Sequence, residues 1–213
     1  MKIDKVITGE FQVNCFIIHN DGKAIIIDPG DDVDLIEAKI KELNVTPILY
    51  IQTHGHMDHI SALAEIQSRF KAPVYMAEED AKWAFTDINC MPPFFPTPPT
   101  STPIAKYVQD GDDFCFAGLR FKTIRTPGHT PGGICIYFYE NQTLFSGDTV
   151  FAGSVGRTDL PGGDSRILTE SLRMLLKTIP NNTRIYTGHG PATTMDLEKR
   201  NNFYFQNIST NEE

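Results

Sequence analysis

Short apolar runs separated by turn residues open the chain. Residues 6–8, 15–18 and 24–27 read as strands, because β-branched and aromatic side chains suit a pleated, buried surface. Asn20, Asp21 and Gly22 between the second and third runs supply a hairpin signal. The period then changes: Val33, Ile36, Ile40 and Leu43 recur at helical spacing. Residues 48–51 form another buried strand, and Ile60, Leu63 and Ile66 mark a helix that begins near Asp58. The second half repeats the order. Residues 114–116, 119–125, 133–139, 143–145 and 183–186 are strand-like, residues 167–176 show helical periodicity after Asp164, and residues 195–205 predict one short helix before a polar tail that frays. Strand-rich halves, each followed by helices, predict two packed sheets with helices outside. We find no internal repeat and no linker, so residues 1–213 are expected to form one domain.

One segment breaks the pattern. Residues 91–103, MPPFFPTPPTSTP, carry six prolines and two phenylalanines, which excludes helix and central strand. It reads as an inert surface connection shielding the core, with a wall or lid over a cleft as the alternative.

The formal charge of −8 argues against nonspecific binding to nucleic acid or to acidic membranes. The start, MKIDKVITGE, lacks the apolar stretch of a signal peptide, and no run approaches the roughly 20 apolar residues of a membrane span. Cys15, Cys90, Cys115 and Cys135 form no CxxC pair. Buried free thiols in a reducing, cytoplasmic setting are the expectation.

The chemistry is concentrated in the histidines. Residues 53–59, THGHMDH, follow a buried strand and hold three of the six histidines plus Asp58. Neutral imidazoles and a carboxylate suit zinc, iron or manganese. His129 lies in a TPGHTPGG turn, His189 in a TGHG turn and Asp148 in LFSGDTVF, each after a short β-type run. Strand ends followed by glycine turns are where a sheet scaffold exposes functional side chains. Only His19, beside the hairpin turn, lacks such a setting, and it is expected to face solvent.

Together, IIIDPG at residues 25–30, THGHMDH, GHTPGG, SGD and TGHG resemble, in this order, the five motifs of the metallo-β-lactamase-fold superfamily. The GRTDLPGGD stretch within residues 151–164 is most similar to short, single-domain glyoxalase II-like (hydroxyacylglutathione hydrolase) members. The resemblance implies an α/β fold, the four-layer αββα sandwich. It also implies two divalent metal ions, zinc first, with iron or manganese accepted by the same donors. His54, His56 and His129 would bind one ion, Asp58, His59 and His189 the other, and Asp148 would bridge them. Asp28 would support the ligand loops without binding metal. Asp58 would also orient the attacking hydroxide.

The implied activity is hydrolysis of a small-molecule thioester such as S-lactoylglutathione by metal-bound hydroxide, a thiolate leaving without strong acid assistance. Arg157 could pair a substrate carboxylate, or instead pair Asp159 within its own turn. The other readings are a mononuclear iron persulfide dioxygenase on His54, His129 and Asp148, or a hydrolase of another ester, lactone or phosphodiester. Because the full His/Asp set is present, antibiotic hydrolysis is not the expected role. Longer glyoxalase II enzymes add a helical C-terminal region with glutathione-binding basic residues; the resemblance to the short form leads to the expectation that this region is lacking here, which weakens the expectation of glutathione recognition. Oligomeric state is not legible.

Overall fold

Residues 1–210 are described in a computed structural model. The first sheet contains β1 (Lys2–Thr8), β2 (Val13–Asn20), β3 (Lys23–Ile27), β4 (Thr46–Ile51), β5 (Val74–Met76) and β6 (Lys106–Tyr107), in that spatial order. β1, β2 and β3 pair antiparallel, and β3 to β6 pair parallel. Later in the chain come β7 (Asp113–Phe116), β8 (Leu119–Arg125), β9 (Ile134–Phe138), β10 (Thr143–Gly147), a small hairpin of β11 (Val150–Phe151) and β12 (Ser154–Val155), then β13 (Arg184–Thr187) and β14 (Thr193–Thr194). The second sheet runs β14-β13-β10-β9-β8-β7, with β10 and β13 parallel. Seven helices complete the described residues: α1 (Val33–Glu42), α2 (Met57–Ile60), α3 (Leu63–Arg69), α4 (Glu78–Ala81), α5 (Ser165–Thr178), α6 (Met195–Asn201) and α7 (Phe203–Thr210).

Successive side chains on a strand point to opposite faces, and here both faces are apolar. On β2 to β4, Phe16, Ile18, Ile25, Ile27, Leu49 and Ile51 meet Phe121, Ile134, Ile136, Phe138 and Phe145 of the second sheet. Their neighbours Cys15, Ile17, Ile26 and Tyr50 face outward against Ile36 and Ile40 of α1 and Leu63 and Ile66 of α3. Across the molecule, Cys135, Leu144 and Ile185 pack on Leu168, Leu172 and Leu175 of α5, Met195 of α6 and Phe205 and Ile208 of α7. Three apolar layers between four layers of backbone make the αββα sandwich that the motifs implied. Each fully buried large side chain contributes roughly 1.5–3 kcal/mol.

Several local expectations are corrected. The helix after the heptad is two pieces, α2 and α3, because the Ala62 N–H leaves the helical ladder to donate to Gly30 O at 2.9 Å. The C-terminal helix is also two. Asn202 is buried and extended (ψ 116°), and its amide donates to Ser154 O and Glu198 Oε2, ending α6. α7 then continues to Thr210, so the expected fraying does not begin at residue 206, and the rest of the tail lies outside the described residues. His19 is 8% exposed and bonds Asp4 through Nε2 at 2.9 Å, so it does not face solvent. All four cysteines are free, but Cys115 is exposed and only Cys15 and Cys135 are buried. Among the described residues, no helix is long and apolar enough to cross a membrane.

Asp164 caps α5, its carboxylate accepting from the N–H groups of Arg166 and Ile167 at 2.8 and 3.1 Å. Asp164→Ala is expected to cost about 1 kcal/mol, measured as a lower urea midpoint at unchanged slope.

Candidate metal centre

The site forms where strands of both sheets end. β3 and β4 run parallel with Ile27 opposite Ile51, so Asp28 and Thr53 emerge side by side. Asp28 Oδ1 accepts from Thr53 N at 2.7 Å, and Oδ2 accepts from Thr53 Oγ1 at 2.5 Å and from His59 Nδ1 at 3.0 Å. On the second sheet β10 and β13 also run parallel, delivering Asp148 and His189 together, while the turn after β8 carries His129. Two backbone bonds stitch the sheets at this seam: Asn14 N to Gly188 O at 2.8 Å, and Ile134 N to Thr53 O at 2.8 Å.

Two glycines permit the approach. Gly147, at φ 48°, precedes Asp148, and a Cβ there would lie 2.3 Å from Thr53 Oγ1. At Gly188 a Cβ would lie 2.1 Å from Asp148 Oδ1. Any other residue at either position would push these loops apart.

The imidazoles share one design. His129 Nδ1 donates to Arg157 O at 2.7 Å, His189 Nδ1 to Phe11 O at 2.7 Å and His59 Nδ1 to Asp28, leaving each Nε2 to face inward. Thr53 Oγ1, which donates to Asp28, accepts from His54 Nδ1 at 3.0 Å. Such outer hydrogen bonds set the tautomer and aim of a metal ligand. His56 is the exception, presenting Nδ1 to His129 Nε2 at 2.9 Å. His59 and His189 face each other through Nε2 at 3.2 Å. Asp148 bridges the groups: Oδ2 lies 3.5 Å from His129 Nε2 and 3.4 Å from His189 Nε2, and Oδ1 lies 3.5 Å from His59 Nε2. Asp58 Oδ2 is 3.4 Å from His189 Nε2 and 3.8 Å from His59 Nε2.

These donors fit cations. His54 Nε2 and Asp148 Oδ1 are buried without a hydrogen-bond partner, a costly state unless an ion satisfies them. His54, His56 and His129 bring their nitrogens within 4.8 Å of one another, and so do the donors of Asp58, His59 and His189. A third grouping joins Asp28 to His54 and His59, but Asp28 already accepts from Thr53 and His59. Burial, then the neighbouring His129, lowers His56 to about 3, and burial lowers His54 well below the usual range, so both are neutral donors. Burial would also lower His189, but hydrogen bonds to Asp148 and Asp58 carry it up to about 11 in the ion-free site. Burial would raise Asp148, but the imidazoles of His59, His189 and His129 hold it well below the usual carboxylate range.

All seven proposed ligands therefore lie in one cluster, with Asp28 behind it. Arg157 reaches the rim, but its Nε and Nη2 each bond Asp159 at 2.7 Å, so that edge of the guanidinium is engaged within its own turn. Two supports had no signal in the sequence. Buried Asp80 accepts from Gly55 N, Thr130 Oγ1 and Gly132 N, at 2.8, 2.7 and 2.6 Å, clamping the heptad loop to the His129 loop. Asn89 accepts from Met57 N and donates to Gly55 O. Asp80 sits in an acidic helix between charged neighbours, so only the folded chain shows its role. The Pro-rich segment is not inert: Met91 lines the cleft, and Phe94 and Phe95 pack 5.1 and 5.7 Å from Phe11 at its mouth.

The sequence profile described as the metallo-beta-lactamase superfamily matches residues 8–189. The chain belongs to that superfamily. Hydroxyacylglutathione hydrolase GloC of Haemophilus influenzae is 34% identical over 212 residues, covering 98% of this chain and all of that one. Among solved structures, BLEG-1 B3 metallo-beta-lactamase superposes with a TM-score of 0.89 at 31% identity, covering 96% of this chain and 99% of that one. TTHA1623, solved in a di-iron-bound form, gives 0.85 at 34%, covering 94% and 99%. These likenesses make the chain a metallo-beta-lactamase-fold member of a metal-dependent hydrolase family.

Two outcomes are expected. Asp28→Asn should weaken metal binding about 10- to 100-fold in a chelator competition. With His189 as a ligand, loading would displace its proton, so apparent affinity should rise about tenfold per pH unit for each proton displaced between about pH 6 and 8. The single tryptophan, Trp83, whose ring centroid is 5.5 Å from that of His56, supplies the fluorescence signal.

Proposed function

We propose that the chain is a binuclear metal-dependent hydrolase that cleaves a thioester carbonyl. The observation carrying this reading is the pair of three-donor groups flanking Asp148. His54, His56 and His129 would hold one ion, Asp58, His59 and His189 a second, and Asp148 both. Zinc, iron and manganese all suit these donors. Bound there, two divalent ions would supply an acidified water and a Lewis acid for the carbonyl oxygen.

The chain's own groups do the rest. Asp58, partly open to the cleft, would accept a hydrogen bond from the attacking water and orient it. Arg157 O and Phe11 O keep the Nδ1 protons of His129 and His189, so both rings offer a fixed Nε2. A thiol leaves as thiolate with a pKa of about 8.5, which removes the need for a strong general acid.

A mononuclear iron oxygenase on His54, His129 and Asp148 is the second reading. It leaves His59 and His189 facing each other at 3.2 Å with no role, which favours the binuclear assignment. The protein with its metal content measured should hydrolyse S-lactoylglutathione equally with and without oxygen, and His54→Ala should abolish turnover. Oxygen consumption with a persulfide at one iron per chain would replace this reading with the second one, and turnover of β-lactams alone would redirect it to amide bonds.

A further inference from the structure

Resting on the thioesterase reading, we infer that the cleft takes an uncharged thioester with an apolar acyl group in preference to a glutathione conjugate. The cavity over the donors holds about 580 Å³. Phe11, Met91, Phe151, Val155, Leu160 and Pro191 line it. This apolar wall begins at the donors themselves, since the Phe151 ring lies 6.1 Å from that of His189. Phe11 is backed by Phe94 and Phe95, which ties the wall to the Pro-rich segment.

Charge points the same way. A glutathione thioester brings two carboxylates and an ammonium group, each needing a partner when it leaves water. Among the described residues lining the cavity, Arg157 is the one lysine or arginine, and its Nε–Nη2 edge is engaged by Asp159, whose carboxylate offsets its charge. An acyl chain meets no such conflict. Each methylene buried against the wall should gain about fourfold in binding.

The test compares kcat/KM of the metallated protein for S-lactoylglutathione and lactoyl-N-acetylcysteamine, which differ only in the thiol, and for the acetyl, butyryl and hexanoyl thioesters of N-acetylcysteamine. The neutral lactoyl thioester should at least match the glutathione one, and hexanoyl should exceed butyryl about fifteenfold. Met91→Ser and Leu160→Ser should each cut that hexanoyl-to-butyryl ratio about threefold or more. A tenfold advantage for S-lactoylglutathione, or a flat response to chain length, overturns the inference. Calorimetric binding of S-hexyl-N-acetylcysteamine against S-hexylglutathione separates the two levels of the argument. Failure to turn over any thioester sinks the hydrolase reading, while tighter binding of the glutathione thioether, or binding of neither, sinks the apolar cleft.

Discussion

Imidazole nitrogens that face each other across 2.9 Å, as His56 and His129 do, cannot both keep an uncompensated lone pair. Something positive must lie among them, a proton or a metal ion. Seven polar side chains meet at this seam between two apolar layers, and taking ions out of water costs several kcal/mol per ion unless partners repay it. The surrounding loops read as that repayment. In four of the five rings the outward-facing nitrogen has an oxygen partner: Asp28, Thr53, Arg157 O and Phe11 O set the direction in which the second nitrogen points. Without this outer ring of acceptors the donors would relax onto one another.

The sandwich makes such a seam affordable in structural terms. Loops at the ends of strands can carry polar groups because three apolar layers hold the strands in place regardless of what the loops do. The backbone bonds Asn14 N to Gly188 O and Ile134 N to Thr53 O fix one sheet's loops against the other's. Asp80 performs the same service between the heptad and the His129 turn, and burial raises its carboxyl despite the three donors it accepts. On the proposed reading, a rigid polar floor beneath an apolar wall would separate two tasks: the floor would activate a carbonyl, and the wall would choose which carbonyl enters.

Much of this was legible in the residues. Period-two and period-3.6 spacing located the long strands and α1 and α5, because those elements bury a regular face. The short β5, β6 and β14 escaped notice: two or three residues are too few for a period, and their pairing depends on a neighbour already in place. The breaks at Ala62 and Asn202 were invisible for a related reason. Each is caused by a hydrogen bond to a residue remote in sequence, Gly30 and Ser154, and not by a local helix breaker.

The sequence alone determined the kind of chemistry, since only a handful of side chains bind hard or borderline cations and five of the six histidines stand after β-type runs in glycine-rich or strand-end turns. The order of strand-rich halves followed by helices, together with the motif resemblance, also pointed to the layers. Tertiary structure decided the rest. Whether His19 is free or paired, whether Arg157 is available or held by Asp159, and whether the Pro-rich segment walls the cleft all depend on which distant residue comes within about 3 to 5 Å. Side-chain chemistry is a local property of the chain, whereas electrostatic and packing partners are a property of the folded arrangement.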